Sequence, residues 1–282
     1  MTINVELVTV TPEMAKEWLN NMYHKQRPFK KSRAKEYAHD MSNGNWMLES
    51  SEMIKFNKDG QLIDGQHRLS AVVMSEMAVP FFVMTGARNE AYDTIDSGAK
   101  RSVSDVLKTK YGTTISALSR AMLQIDKGAH LRSALHGGSK RDNVLVSKKD
   151  VVDYYRLHSE YIDKLAQFIT KFGTVIGKTS SQGVGLPLYV YGGIDQFTVD
   201  YFINDVLNAV PKDERIAGFK NAALTAIIKD NFDKSRQFAM IIRTLELIDN
   251  DEPPIAKYTN TDQIIKRWDD YLHSDAIQKV TE

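Results

Sequence analysis

The chain has 282 residues, 42% of them hydrophobic and 26% charged, with a formal net charge of +1 and no cysteine. This balance describes a folded protein of one large or two modest domains and argues against disorder. Disulfides and thiolate metal sites are excluded. No apolar run approaches the roughly 18–20 residues of a membrane span, and the first residues lack a signal peptide's basic-then-apolar pattern, so a cytoplasmic location and no membrane partner are expected.

Residues 4–10 are rich in β-branched side chains and predict a strand. Thr11 then caps a helix with Pro12 at its first position and Met14, Trp18, Leu19 and Met22 on one face. Six basic residues follow within eleven positions, Lys25, Arg27, Lys30, Lys31, Arg33 and Lys35, interrupted by Pro28 and Phe29. The second half of this run enters a helix through Ala34, Tyr37, Ala38 and Met41 that ends at Asn43-Gly44. Such a charge run is most often a solvated helix face. Its density, with Phe29 and Tyr37 as stacking surfaces, also suits contact with nucleic-acid phosphates. With a net charge near zero, any nucleic-acid surface must be a local patch of this kind.

Residues 52–56 and 61–63 read as two short strands. The turn Asn57-Lys58-Asp59-Gly60 between them holds the Asp-Gly pair that hairpins favour. Asp64-Gly65-Gln66-His67-Arg68 comes next, followed by Leu69, Val72, Val73 and Met77 at helical spacing. Asp64 is predicted to cap this helix, and Gly65 to let the backbone turn tightly and approach a ligand. Unpaired N–H groups of a first turn, beside a histidine and an arginine, have the composition of an anion site. The same residues equally fit a capped helix with a surface His and Arg and no ligand. Residues 79–85 form an apolar run read as a buried strand, and residues 90–94 a short helix before the turn Asp96-Ser97-Gly98. Lys100 and Arg101 lead to Ser102, which caps a helix through Val103, Val106 and Leu107. Asp93 and Asp96 could serve a metal ion, although carboxylates three apart beside a turn more often cap a helix.

From about residue 113 the pattern is helical almost throughout. Residues 116–127 and 147–172 are strongly periodic, the latter opened by the capping pattern Ser147-Lys148-Lys149-Asp150. His136-Gly137-Gly138-Ser139-Lys140-Arg141 reads as a basic loop without phosphate-loop spacing, and residues 173–186 as a glycine-containing connector. Further helices are expected over 186–208, 212–230, 233–248 and 260–273, with Pro253-Pro254 forcing a break. In the last, Ile264, Ile265, Trp268, Tyr271 and Leu272 form an apolar face read as core. No Ser-His-Asp set, Cys-His pair or His-rich ligand spacing can be assembled from sequence separation.

The string from Asp64 to Arg68 resembles the DGQHR signature of the ParB/sulfiredoxin-like superfamily, whose members set a Gly-x-x-Arg turn at a helix start against nucleotide phosphates. The likeness covers about the first 110 residues. It runs from Thr11-Pro12-Glu13-Met14-Ala15, through Asp64 to Val73, to Thr94-Ile95-Asp96-Ser97-Gly98 and the basic pair after it, as in phage and bacterial ParB-like proteins. Sulfiredoxin relatives hold a reactive cysteine at the position of Gln66, so sulfinic-acid reduction is not expected. Chromosome-partitioning relatives carry a Gly-Glu-Arg-Arg box that binds CTP, and a free-serine kinase branch carries Asp-Gly-x-His-Arg. DNA-phosphorothioation regulators of the DndB type keep the DGQHR string itself.

The resemblance implies an α+β protein, with a ParB/sulfiredoxin-like α/β domain over residues 1–112 and an all-α domain over 113–282. The first domain is expected to bind a nucleoside triphosphate, ATP or CTP, with Mg²⁺, through Gly65, Gln66, His67 and Arg68. Lys25, Arg27, Lys30, Lys31, Arg33, Lys100 and Arg101 are the candidate DNA contacts. For phosphate-bond chemistry Arg68 and Mg²⁺ would supply the charge clamp, Asp64 and Asp96 a base, with His67 in the same catalytic set and Asp64 also the metal ligand. The expected function is that of a DNA-associated nucleotide-binding protein, a nucleoside triphosphatase or phosphotransferase in DNA modification, partition or regulation. The alternatives are a non-enzymatic DNA-binding regulator, and a small-molecule kinase or metal-dependent nuclease on the same fold. The helical region is expected to read DNA, bind a partner or act as scaffold, with a homodimer as the candidate assembly.

Overall fold

The computed structural model describes residues 3–24, 28–50, 52–94, 102–137 and 144–274, with Ser50 and residues 92–94 described by backbone only. The protein is a mixed α+β chain with one small sheet and mostly helices. It divides into two compact units, Met1–Lys100 and Arg101–Glu282.

The first unit contains β1 (Asn4–Val10), α1 (Pro12–Asn20), α2 (Lys31–Ser42), β2 (Ile54–Asn57), β3 (Leu62–Asp64), α3 (Gln66–Ser75) and β4 (Val79–Ala87), with 3-10 turns at Leu48–Ser50 and Asn89–Thr94. The four strands lie in the order β1-β4-β2-β3. β4 is antiparallel to β1 and parallel to β2, and β2 and β3 form the antiparallel hairpin. Local chemistry explains the corners. Thr11 accepts the Met14 N–H at 3.3 Å with Pro12 at the first helical position. In the hairpin turn, Asn57 Oδ1 accepts the N–H groups of Asp59 at 3.0 Å and Gln61 at 2.7 Å, and Gly60 takes φ +74°.

α1 and α2 each pack against α3, and the three helices and the sheet close a core of Val10, Ile54, Leu62, Leu69, Val72, Phe81 and their neighbours. β4 is not buried on both faces as its apolar run suggests. Burial alternates, with Phe81 and Val83 inside and Phe82 exposed, because helices cover one side of the sheet and β4 therefore has a solvent face. Met22 and Met77, expected on apolar helix faces, lie beyond the ends of α1 and α3 and are exposed.

The second unit is helical in its described residues: α4 (Val103–Leu107), α5 (Gly112–Asp126), α6 (Leu131–His136), α7 (Lys148–Leu157), α8 (Ser159–Ile176), α9 (Ser181–Gly192), α10 (Gln196–Val206), α11 (Glu214–Ile228), α12 (Lys234–Asp249) and α13 (Thr261–Leu272). α12 runs through the core, burying Phe238, Ile241, Ile242, Leu245 and Leu247, with α9 against it. Ser102 with Asp105 and Ser147 with Asp150 each form a reciprocal capping box.

Three expectations need correction. Residues 186–208 are not one helix: α9 ends at Gly192 and α10 starts at Gln196, capped by Asp195. Residues 147–172 are not one helix: the chain breaks at His158, whose backbone leaves the helical region at φ −113°, ψ 21°, and α8 then continues to Ile176. Residues 173–186 are not a connector, because α9 begins at Ser181 and takes Gly183, Gly185 and Pro187 into its body. An added Cβ on Gly183 would lie 2.7 Å from Gln237 Oε1, and one on Gly185 2.2 Å from Leu118 Cδ2. These glycines let α9 approach α12 and α5 closely, so packing overrides their poor helix propensity.

Candidate functional site

The string Asp64-Gly65-Gln66-His67-Arg68 forms the passage from β3 into α3. Gly65, at φ +121°, is the residue that caps the helix, and no side chain caps it. Its conformation disfavours any L side chain, and an added Cβ would lie 2.6 Å from Ile54 Cδ1. The backbone here lies directly on the core of the sheet.

Asp64 does not cap the helix, contrary to expectation. It ends β3 and is 7% exposed. Its Oδ1 accepts from Arg68 Nη2 at 2.8 Å, and its Oδ2 lies 3.4 Å from Lys55 Nζ without a hydrogen bond. Arg68 is 6% exposed and also reaches Glu52 at 3.4 Å. The guanidinium is therefore committed to a buried pair one helical turn long, and its side chain is not presented for a ligand phosphate. Two cations already flank the Asp64 carboxylate, which sets positive charge where a divalent metal would have to sit. A base role for Asp64 would fall to Oδ2 alone.

His67 is buried as well. Its Nε2 accepts the Lys30 backbone N–H at 2.9 Å, which requires a neutral ring, and the ring stacks on Phe29 with centroids 5.3 Å apart. The histidine thus fastens the segment before α2 to the start of α3, and leaves the Phe29, Lys30 and Lys31 side chains exposed. Arg33, one turn on, is half-buried. Gln66 is half-buried, and its Oε1 is shielded from solvent with no hydrogen-bond partner. Among the described residues, the backbone N–H groups of Gln66 and Arg68 have no acceptor.

The other expected site residues, Lys25, Arg27, Asp96, Lys100 and Arg101, lie outside the described residues, as does the side chain of Asp93. Lys55 and Glu52 complete the charge cluster and were not singled out from sequence. Lys55 faces Asp64 across the hairpin only because a bulge shifts the register between Lys55 and Phe56.

No protein-family model, no curated protein and no solved structure matches the chain.

Proposed function

We propose that the first unit is a ParB/sulfiredoxin-like module that binds a nucleoside triphosphate, ATP or CTP with Mg²⁺, at the start of α3, in a protein that associates with DNA. The observation that carries this reading is the open start of α3. Among the described residues it has no side-chain cap, no acidic residue in its first turn, two backbone N–H groups without acceptors, and a glycine pressed onto the core. Gln66 Oε1 is shielded and without a donor, so what the turn offers a nucleotide's phosphates is its backbone N–H groups. In this reading Arg68 acts through Asp64 by fixing the turn, and the cationic contacts come from Lys30, Lys31 and Lys55.

The test is a thermal-shift panel of ATP, CTP, GTP and UTP, each with and without Mg²⁺, followed by phosphate release with and without DNA. A nucleotide at one hundred times its Kd should add about 2.7 kcal/mol of stability. If no nucleotide raises the melting temperature, the nucleotide reading is wrong. The exposed lysines on and before α2 favour a second reading, in which the same turn holds a DNA backbone phosphate without turnover. DNA affinity should then fall steeply with salt, and the double change Lys30→Glu, Lys31→Glu should flatten that slope by about two counterions. No binding at low salt would remove DNA from the partners.

A further inference from the structure

In the second unit, the end of α13 meets the turn between α5 and α6, and three ligand-bearing side chains converge there: His130, Asp269 and His273, their ligand atoms all within 4.8 Å of one another. Asp269 Oδ1 accepts the Leu131 N–H at 2.6 Å and so caps α6, while Oδ2 lies 2.8 Å from His130 Nδ1. His273 Nε2 lies 3.1 Å from the Gly128 carbonyl oxygen. Its Nδ1 lies 2.7 Å from the Asp269 carbonyl oxygen and 3.7 Å from Asp269 Oδ1.

Both His273 nitrogens face backbone carbonyl oxygens, with the Asp269 carboxylate beside them. The corner also sits at the C-terminal end of α13, where the helix carries partial negative charge. Oxygens, a carboxylate, two imidazoles and a helix C-terminus together call for a cation.

We propose that His130, Asp269 and His273 bind a divalent transition-metal ion of the zinc type. Two histidines and a carboxylate are a preferred donor set for such ions. Zn–N and Zn–O bonds of about 2.0–2.1 Å put tetrahedral ligands roughly 3.3–3.4 Å apart. Asp269 Oδ2 lies 2.8 Å from His130 Nδ1 and the three ligand atoms all lie within 4.8 Å of one another, so modest side-chain rotations reach that spacing. The surrounding contacts match what a bound ion needs: the second ring nitrogen of His273 is oriented by a backbone carbonyl, and the second carboxylate oxygen of Asp269 by a backbone N–H. All three side chains retain solvent access, at 59%, 21% and 32% exposure, so an ion can reach them. The bound ion would staple α13 to the α5–α6 turn.

The experiment titrates ZnCl₂ into the EDTA-treated, dialysed full chain by calorimetry, with MgCl₂ as the hard-cation control, and follows thermal melting alongside. One zinc per chain, a raised melting temperature and no response to magnesium are expected. His130→Ala and His273→Ala should each weaken zinc binding by at least about tenfold, while His24→Ala in the first unit leaves it unchanged. His130 is exposed enough that its removal leaves the fold intact, so that variant decides if His273→Ala does not fold. Absence of zinc binding to the wild type overturns the proposal. Zinc binding that survives His130→Ala at full strength overturns it equally.

Discussion

Gly65 and Arg68 hold the start of α3 by different physics, backbone shape and buried charge. Gly65→Ala would place a Cβ at φ +121° and against Ile54, and should destabilise the first unit by about 1–3 kcal/mol in urea unfolding. Adding Ile54→Val removes the Cδ1 contact at 2.6 Å and should return part of that loss, the backbone strain remaining. Arg68→Ala should cost about 3–5 kcal/mol, because it strands a buried Asp64 carboxylate with only a lysine beside it. If Arg68→Ala instead unfolds like the wild type and only nucleotide binding suffers, Arg68 is a ligand contact rather than a brace. The sharp passage into α3 was legible in its composition, since a glycine just before a helical pattern marks a turn. The partners were not. Lys55 and Glu52 join through a bulged register and a loop, and His67 turns inward because Lys30 supplies a backbone N–H 37 residues away.

At the scale of elements, the serine and threonine caps were read well, while the Asp64 cap, the glycine breakers of α9 and the packing were not. Thr11, Ser102 and Ser147 cap where their side chains predict, because that chemistry is local. Gly183, Gly185 and Pro187 look like a connector because their helical role depends on Leu118 and Gln237, distant in the chain. Gly185→Ala tests this. Helix propensity alone would give a gain of about 1 kcal/mol, but overpacking a fully buried Leu118 should cost about 1–3 kcal/mol. A lowered melting temperature is expected, and a raised one would mean the contact relaxes freely. The loop from α10 to α11 carries an acid-sensitive lock. Asp213 caps α11 through the Arg215 N–H at 2.8 Å, and its carboxyl is held below the ordinary range first by the Arg215 side chain and then by backbone donors, against the opposing effect of burial. A carboxylate whose folded pKa is depressed contributes stability above its unfolded pKa of about 3.9 and loses it as pH falls through the folded value. The urea midpoint should therefore drop below about pH 4, and Asp213→Asn, less stable at neutral pH, should show a shallower acid slope.

The two units have separate cores, one built from residues between Val10 and Val83 and the other from residues between Val103 and Trp268. Chains 1–100 and 101–282 should accordingly each give a cooperative urea transition when expressed alone. A fragment that shows only a broad, non-cooperative loss of circular dichroism would mean that its core needs the other unit. Within the first unit the strand order sets a timetable for the nascent chain. β1 is made first, yet among the described residues its partner in the sheet is β4, more than sixty residues later, and β4 also has to slot beside β2. A chain that has left the ribosome only as far as α3 can close the β2–β3 hairpin, but β1 and the open side of β2 remain bare edges. β4 then completes two pairings in a single insertion. A pause that keeps β4 inside the ribosome after α3 has emerged would hold the protein with both edges unsatisfied, the condition under which neighbouring nascent chains on a polysome pair with one another instead.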